Sequence, residues 1–184
     1  MILKTTEKSE NTLHKCSINS TVGKLLVEQL SNELYNKLLY EDFANYYANS
    51  GLVLLEQYYR GRASEEEQHY QWIKKFLNDN DYKYSHPEVN APAEKYENLE
   101  DPFKLTVDVE VETTEDIYTI YETAIAEKDW ITAQWLMSDD SSLGNLIKEQ
   151  AEEMNLSRTA LEIAQMDTDW LSKEQAIWQL YSSK

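Results

Sequence analysis

Between Leu55 and Phe76 the inward-reading residues recur in alternating steps of three and four: Leu55, Tyr59, Arg62, Glu66, His69, Ile73, Phe76. That spacing is the seam of a helix packed against other helices. Yet its middle is Arg62, Glu66 and His69, side chains that normally face water. Glu66 and His69 lie one turn apart on one face, where a carboxylate and an imidazole can grip one ion from a single element. A buried carboxylate must be paired, protonated or bound to metal. The stretch Glu65-Glu66-Glu67-Gln68-His69 therefore predicts a helical bundle with a polar interior.

The rest of the chain agrees with helices. Four glycines and three prolines in 184 residues leave few breakers, and the length suits one domain with a substantial core. An apolar fraction of 41%, with five Trp and thirteen Tyr, speaks against disorder despite a net charge of −17. That charge repels nucleic acid and anionic membrane, so neither is expected as a partner, and it favours cations. Cys16 is the single cysteine, which excludes an internal disulfide and a cysteine metal cluster and fits a reducing compartment. Without an apolar run of signal-peptide or membrane-span length, the expectation is a soluble cytoplasmic protein.

Residues 1–20 read as a flexible arm, in which His14 and Cys16 stand two apart, and 21–184 as one domain. Ser20-Thr21 offers an N-cap for a first helix running to about Ser50, with the stripe Leu26, Leu30, Glu33, Lys37, Tyr40, Ala44, Tyr47 and a glycine stop at Gly51. The second helix covers about 52–78. Residues 79–98 hold Pro87 and Pro92 and little periodicity. A connection that long suits a crossover spanning the length of two neighbouring helices, and so two hairpins joined overhand; His86 within it reads as a surface side chain. The third helix opens near Leu99 with the stripe Phe103, Val107, Glu110, Thr114, Ile117, Tyr121, Ala124. A turn follows within 128–144, most loop-like at Ser138-Asp139-Asp140-Ser141-Ser142. The fourth helix shows Leu143, Leu146, Gln150, Glu153, Ser157, Ala160, Ala164, and Asp169 caps a short fifth, Trp170–Tyr181. Every long helix thus turns a carboxylate inward near its middle. Four unpaired buried charges would cost several kcal/mol apiece, a cost that a shared cation removes. Carboxylate-rich ligation with one imidazole suits iron or manganese better than structural zinc.

The run Asn32–Tyr40, the Glu65–His69 motif and Lys148-Glu149-Gln150-Ala151-Glu152-Glu153 resemble the bacterial non-haem ferritins over about residues 22–180. The spacings of 33 residues from Glu33 to Glu66 and 44 from Glu66 to Glu110 are similar to that family's. The resemblance implies an all-α, ferritin-like four-helix bundle with a long overhand crossover and a short C-terminal fifth helix that packs at four-fold contacts. It implies iron storage: Fe²⁺ oxidised by O₂ or hydrogen peroxide at a di-iron ferroxidase centre, with ferric mineral kept inside a homo-oligomeric shell of 24 subunits. By the same resemblance Glu33, Glu66 and His69 hold the first iron and Glu66 bridges to the second. Glu110 ends the second iron's set, Gln150 and Glu153 lie beside the pair, and Tyr40 stands next to it. Glu65, Glu149 and Glu152 match an additional iron site. No haem is expected, because Glu67 stands where the haem methionine of bacterioferritins would be, and the fourth helix lacks their second Glu-x-x-His.

From Asp129 to Gln150 the chain has seven more residues than the family pattern. Seven residues are two helical turns, so periodicity leaves two registers open. Either the hairpin has grown and Gln150 and Glu153 reach the centre, or Leu143 and Leu146 lie at that level and its fourth wall is apolar. The second register favours a rival function, a ferritin-like shell or interaction bundle with a degraded centre. A di-iron peroxide scavenger is the other alternative.

Overall fold

In the computed structural model, which describes residues 17–93, 95–138 and 145–183, Asn19 begins the first helix. Its side-chain oxygen accepts from the Thr21 amide at 2.8 Å, so the cap lies one residue ahead of the expected Ser20-Thr21 and satisfies an amide the helix cannot. Helix α1 (Ser20–Asn49) runs to Gly51, whose φ of +76° is the left-handed turn that glycine adopts without strain. Helix α2 (Val53–Asp79) returns alongside it. Helix α3 (Asp101–Ala126) starts with Pro102 in its first turn, where a missing N–H costs nothing. The alternating stretch Val107–Glu112 lies within this helix.

Two departures follow. A seven-residue helix, α4 (Trp130–Leu136), occupies the segment read as a turn. Asp129 caps it by accepting from the Thr132 amide at 3.1 Å, and Ala133, Trp135 and Leu136 are buried. The chain then continues as α5 (Leu146–Ala164) and α6 (Trp170–Ser182). The short C-terminal helix is therefore sixth in order; Asp169 caps it, accepting from the Ser172 amide at 3.0 Å. The arm's His14 and Cys16, the loop residues Asp139–Ser142, and Leu143 lie outside the described residues.

The apolar side chains gather in two clusters. One joins Val22, Leu26 and Leu30 at the start of α1 to Ile73, Phe76 and Leu77 at the end of α2; Ile117, Ile120 and Ala124 at the end of α3; α4; and Leu146. The other joins Tyr40, Phe43 and Tyr47 of α1 to Leu55, Tyr58 and Tyr59 of α2, Phe103 of α3, and Leu156, Ala160 and Ala164 of α5. The starts of α2 and α3 therefore share one end of the bundle, and the two helices are parallel. Only a connection spanning the bundle can join two consecutive parallel helices. Residues 80–100 do so: Tyr82 and Tyr84 pack on the first cluster, Tyr96 and Leu99 on the second. This is the overhand four-helix bundle. Among the described residues no helix is long and apolar enough to cross a membrane.

Helix α6 closes the second cluster from its own subunit. Ile177 is fully buried there, and Trp170, Trp178, Leu180 and Tyr181 pack around it. Glu174 accepts from the Leu54 amide at 3.0 Å, capping α2, whose own N-cap residue Leu52 has no side-chain oxygen to offer. Lys173 donates to the Ala164 carbonyl at 2.7 Å, at the end of α5. The anchors that the resemblance assigns to contacts between subunits are largely used within one.

Candidate metal centre

Between the two apolar clusters the bundle has a polar waist. Glu33 of α1, Glu66 and His69 of α2, Glu110 of α3, and Gln150 and Glu153 of α5 all enter it and are almost completely buried. Helix α5 lies in the register that brings Gln150 and Glu153 to this level, while Leu146, at its start, sits in the first apolar cluster.

At one side of the waist, His69 Nδ1 stands 3.6 Å from Glu33 Oε2 and 3.7 Å from Glu66 Oε2. Both are too long for hydrogen bonds, and both carboxylate oxygens lack any hydrogen-bond donor. Buried oxygens are rarely left so. An ion that holds N and O ligands at about 2.1 Å spaces them roughly 3.0–3.4 Å apart, so a slight contraction of this triangle would close it around one cation. The other carboxylate oxygen of Glu33 is held by Gln29, which donates at 2.8 Å.

The other side differs. Glu66, Glu110 and Glu153 also bring carboxylate oxygens within 4.8 Å of one another. Glu110, however, is already engaged: Tyr40 donates to its Oε1 at 2.5 Å, Gln150 donates to its Oε2 at 2.7 Å, and Arg62 Nη2 makes a close ion pair with Oε1. Arg62 Nη1 lies 3.6 Å from Glu153 Oε1, whose same oxygen is 3.7 Å from His69 Nε2. Arg62 has no exposed side-chain surface, and its guanidinium lies over the Tyr40 ring, 5.5 Å from the centroid. Its place in the seam was legible at Leu55–Phe76; its pairing with Glu110 and Glu153 was not, because sequence spacing along one helix says nothing of what faces it.

The residues expected at an additional site are less closely gathered. Glu149 lies within reach of His69 and Glu153. Glu65 pairs with Arg62 Nη1 at 3.2 Å and accepts from Tyr181 at 3.4 Å. Glu152 is exposed, 3.9 Å from Lys148. Among the described residues, no group of three potential ligands includes Glu65 or Glu152.

Crowding four carboxylates also sets their protonation. Burial, with Glu33, Glu110 and Glu153 nearby, pushes Glu66 well above the carboxylate range although His69 opposes it. Burial likewise raises Glu153 to about 7, against the pull of His69 and Arg62. His69 would be lowered by burial, but Glu153, Glu33 and Glu66 lift it well above its usual value. Burial acts upward on Glu33 as well, and there His69 prevails and holds the carboxyl low. The three raised groups bind protons in the folded chain that the unfolded chain releases, so their contribution is lost as pH rises through their folded values. Glu33 has the opposite sign, but its contribution is lost only below its ordinary value of 4.5. The metal-free protein should therefore melt several degrees lower at pH 8 than at pH 6. Calorimetry in chelator checks this, and saturating Zn²⁺ should flatten the dependence by replacing the protons.

The comparisons with known proteins decide the family. Residues 23–166 match the family model of the ferritin-like domain. The chain belongs to the ferritin-like family. The bacterial non-haem ferritin of Campylobacter jejuni is 30% identical over 125 residues, 66% of this chain and 75% of that protein. That of Escherichia coli is 26% identical over 135 residues, 72% of this chain and 82% of that protein. Among solved structures, an open-pore ferritin of the hyperthermophilic archaeon Archaeoglobus fulgidus superposes with a TM-score of 0.80 at 23% identity, covering 91% of this chain and 98% of that one. A humanised archaeal ferritin gives 0.77 at 22% identity, covering 90% and 96%. These two likenesses carry the fold, and the ferritin assignment rests on the family match and the sequence relatives.

Proposed function

We propose that this ferritin-family subunit oxidises Fe²⁺ at the waist of its bundle and stores the ferric product inside a shell of identical copies, 24 by analogy with the bacterial ferritins. The observation that carries the reading is the buried triangle of Glu33, Glu66 and His69, whose two carboxylate oxygens lack donors. Iron is the substrate here. Fe²⁺ binds first to that triangle, and a second Fe²⁺ is bounded by Glu66, Glu110 and Glu153, with Glu66 between the two and Gln150 fixing Glu110. Hard anionic oxygens favour Fe³⁺ over Fe²⁺, so the electron passes more readily to O₂ or hydrogen peroxide. Tyr40 holds Glu110 in place through its hydroxyl. The acidic composition suits an inner surface that takes up cations, and the cytoplasm supplies Fe²⁺.

The test is stopped-flow Fe²⁺ oxidation on the assembled protein, followed by sizing and iron content. Fast oxidation with iron retained in the shell supports the reading. Turnover without retained mineral would make the protein a peroxide scavenger. One observation favours the remaining rival, a shell without an oxidase centre: the Arg62 pairing with Glu110 and Glu153. That rival predicts no oxidation above the rate in buffer.

A further inference from the structure

The waist contains its own cation. Arg62 is fully buried, and its guanidinium is bonded to Glu110 and lies 3.6 Å from Glu153, two carboxylates that a metal in the second position would need. Glu110 offers little more: Tyr40 and Arg62 share Oε1, and Gln150 occupies one lone pair of Oε2. The first position is open, since Glu33 Oε2 and Glu66 Oε2 lack donors and neither forms an ion pair with Arg62; at the second, Glu153 also lacks a hydrogen-bond donor, and it is Glu110 that the guanidinium holds most closely. Charge balance points the same way within the fully buried set: its four carboxylates neutralise two divalent ions, so with both ions bound the guanidinium has only the partly buried Glu65 left to balance it.

We propose that Arg62 is the resident cation of the second position, so that the waist binds one divalent ion tightly and a second only by displacing the guanidinium. Arg suits the task because its planar fork spans two carboxylates and stays charged. Glu65, one turn along and only partly buried, already pairs with Nη1 and gives the displaced group a partner toward the rim. The inference rests on the reading that the waist binds metal.

Anomalous diffraction from crystals of the full chain soaked in graded Zn²⁺ tests it, because zinc brings no redox chemistry. In the unaltered protein the Glu33–Glu66–His69 position should fill first. The Glu66–Glu110–Glu153 position should need at least tenfold more zinc. Arg62→Gln should bring the two to comparable occupancy at the lower concentration, and Arg62→Lys, which keeps the charge, should leave the second position weak. Equal filling of both positions in the unaltered protein overturns the inference, and this measurement stands even if Arg62→Gln does not fold. A second position that fills no better in Arg62→Gln also overturns it, with the metal-binding reading left intact. Zinc at neither position would overturn both.

Discussion

Glu66→Ala is expected to slow the initial oxidation of Fe²⁺ at least tenfold and leave the bundle folded. Glu66 is the one carboxylate near both candidate positions: its Oε2 stands 3.7 Å from His69 Nδ1, and it also lies within reach of Glu110 and Glu153. Losing a residue that merely orients a metal ligand costs about 10–100-fold, and losing a ligand shared by two ions should cost no less. The fold is expected to tolerate the change. Alanine is the best helix former, and the side chain removed is one whose charge is disfavoured by burial beside Glu33, Glu110 and Glu153. The metal-free variant should therefore lose part of the pH dependence of melting. Single-turnover oxidation at the unaltered rate, in a variant whose helicity is intact, would rule out the centre as drawn.

The second large effect is expected from ending the chain after Gln165. This removes Ile177 from the second cluster, worth about 1.5–3 kcal/mol, and the Glu174 cap of α2, worth about 1 kcal/mol. It also uncovers Gly61, which lets α6 approach closely: a Cβ there would lie 2.2 Å from the Tyr181 hydroxyl. At roughly 2–4 °C per kcal/mol for a chain of this size, the melting temperature should fall by about 10 °C. Light scattering on the same sample reads assembly separately. A shell that dissociates while each bundle keeps its melting temperature would mean that α6 acts between subunits, against the contacts it makes within one.

The helices were legible because their seams are long and their stops explicit, as at Gly51 and Asp169. The identity of each inward residue was less so. In α3 the anchors Phe103, Glu110, Ile117 and Ala124 recur every seven residues, and either of two intermediate rows completes a three-four stripe. The rows Val107, Thr114, Tyr121 and Thr106, Thr113, Ile120 are similarly apolar, so composition does not separate them. The structure buries Thr106, Thr113 and Ile120 in place of the expected Val107 row. Thr106 is tolerated there because its hydroxyl donates to the Pro102 carbonyl at 2.7 Å and lies 3.1 Å from the Tyr59 hydroxyl. Asn36 likewise takes an inward place beside Lys37, donating to Thr113 at 3.2 Å, while Lys37 swings out to Glu67. Helix α4 escaped notice because seven residues give too few repeats for a period, although its Asp129 cap was present. Glu33, Glu66, His69 and Glu110 share the waist because each sits well inside its helix, and Gln150 and Glu153 join them from the first half of α5; that they bind iron is our proposal. What spacing could not reveal is the role of the fifth charge, Arg62, whose buried partners Glu110 and Glu153 come from two other helices.

The overhand topology also fixes the order in which the chain can assemble. Helices α1 and α2 pair across a three-residue turn, so Glu33, Arg62, Glu66 and His69 come together by local contacts, which form early. Glu110, Gln150 and Glu153 belong to the other pair, α3 with α5. The halves meet only when the long crossover closes, a late and slow step, and the face that α3 and α5 bring to it carries the carboxylates Glu110 and Glu153. Among the described residues, two buried basic side chains of the first pair reach across that gap: Arg62 to Glu110 and Glu153, and His69 to Glu153. The residue that we propose competes with metal is thus also one that pairs carboxylates of the other half while the waist holds no metal.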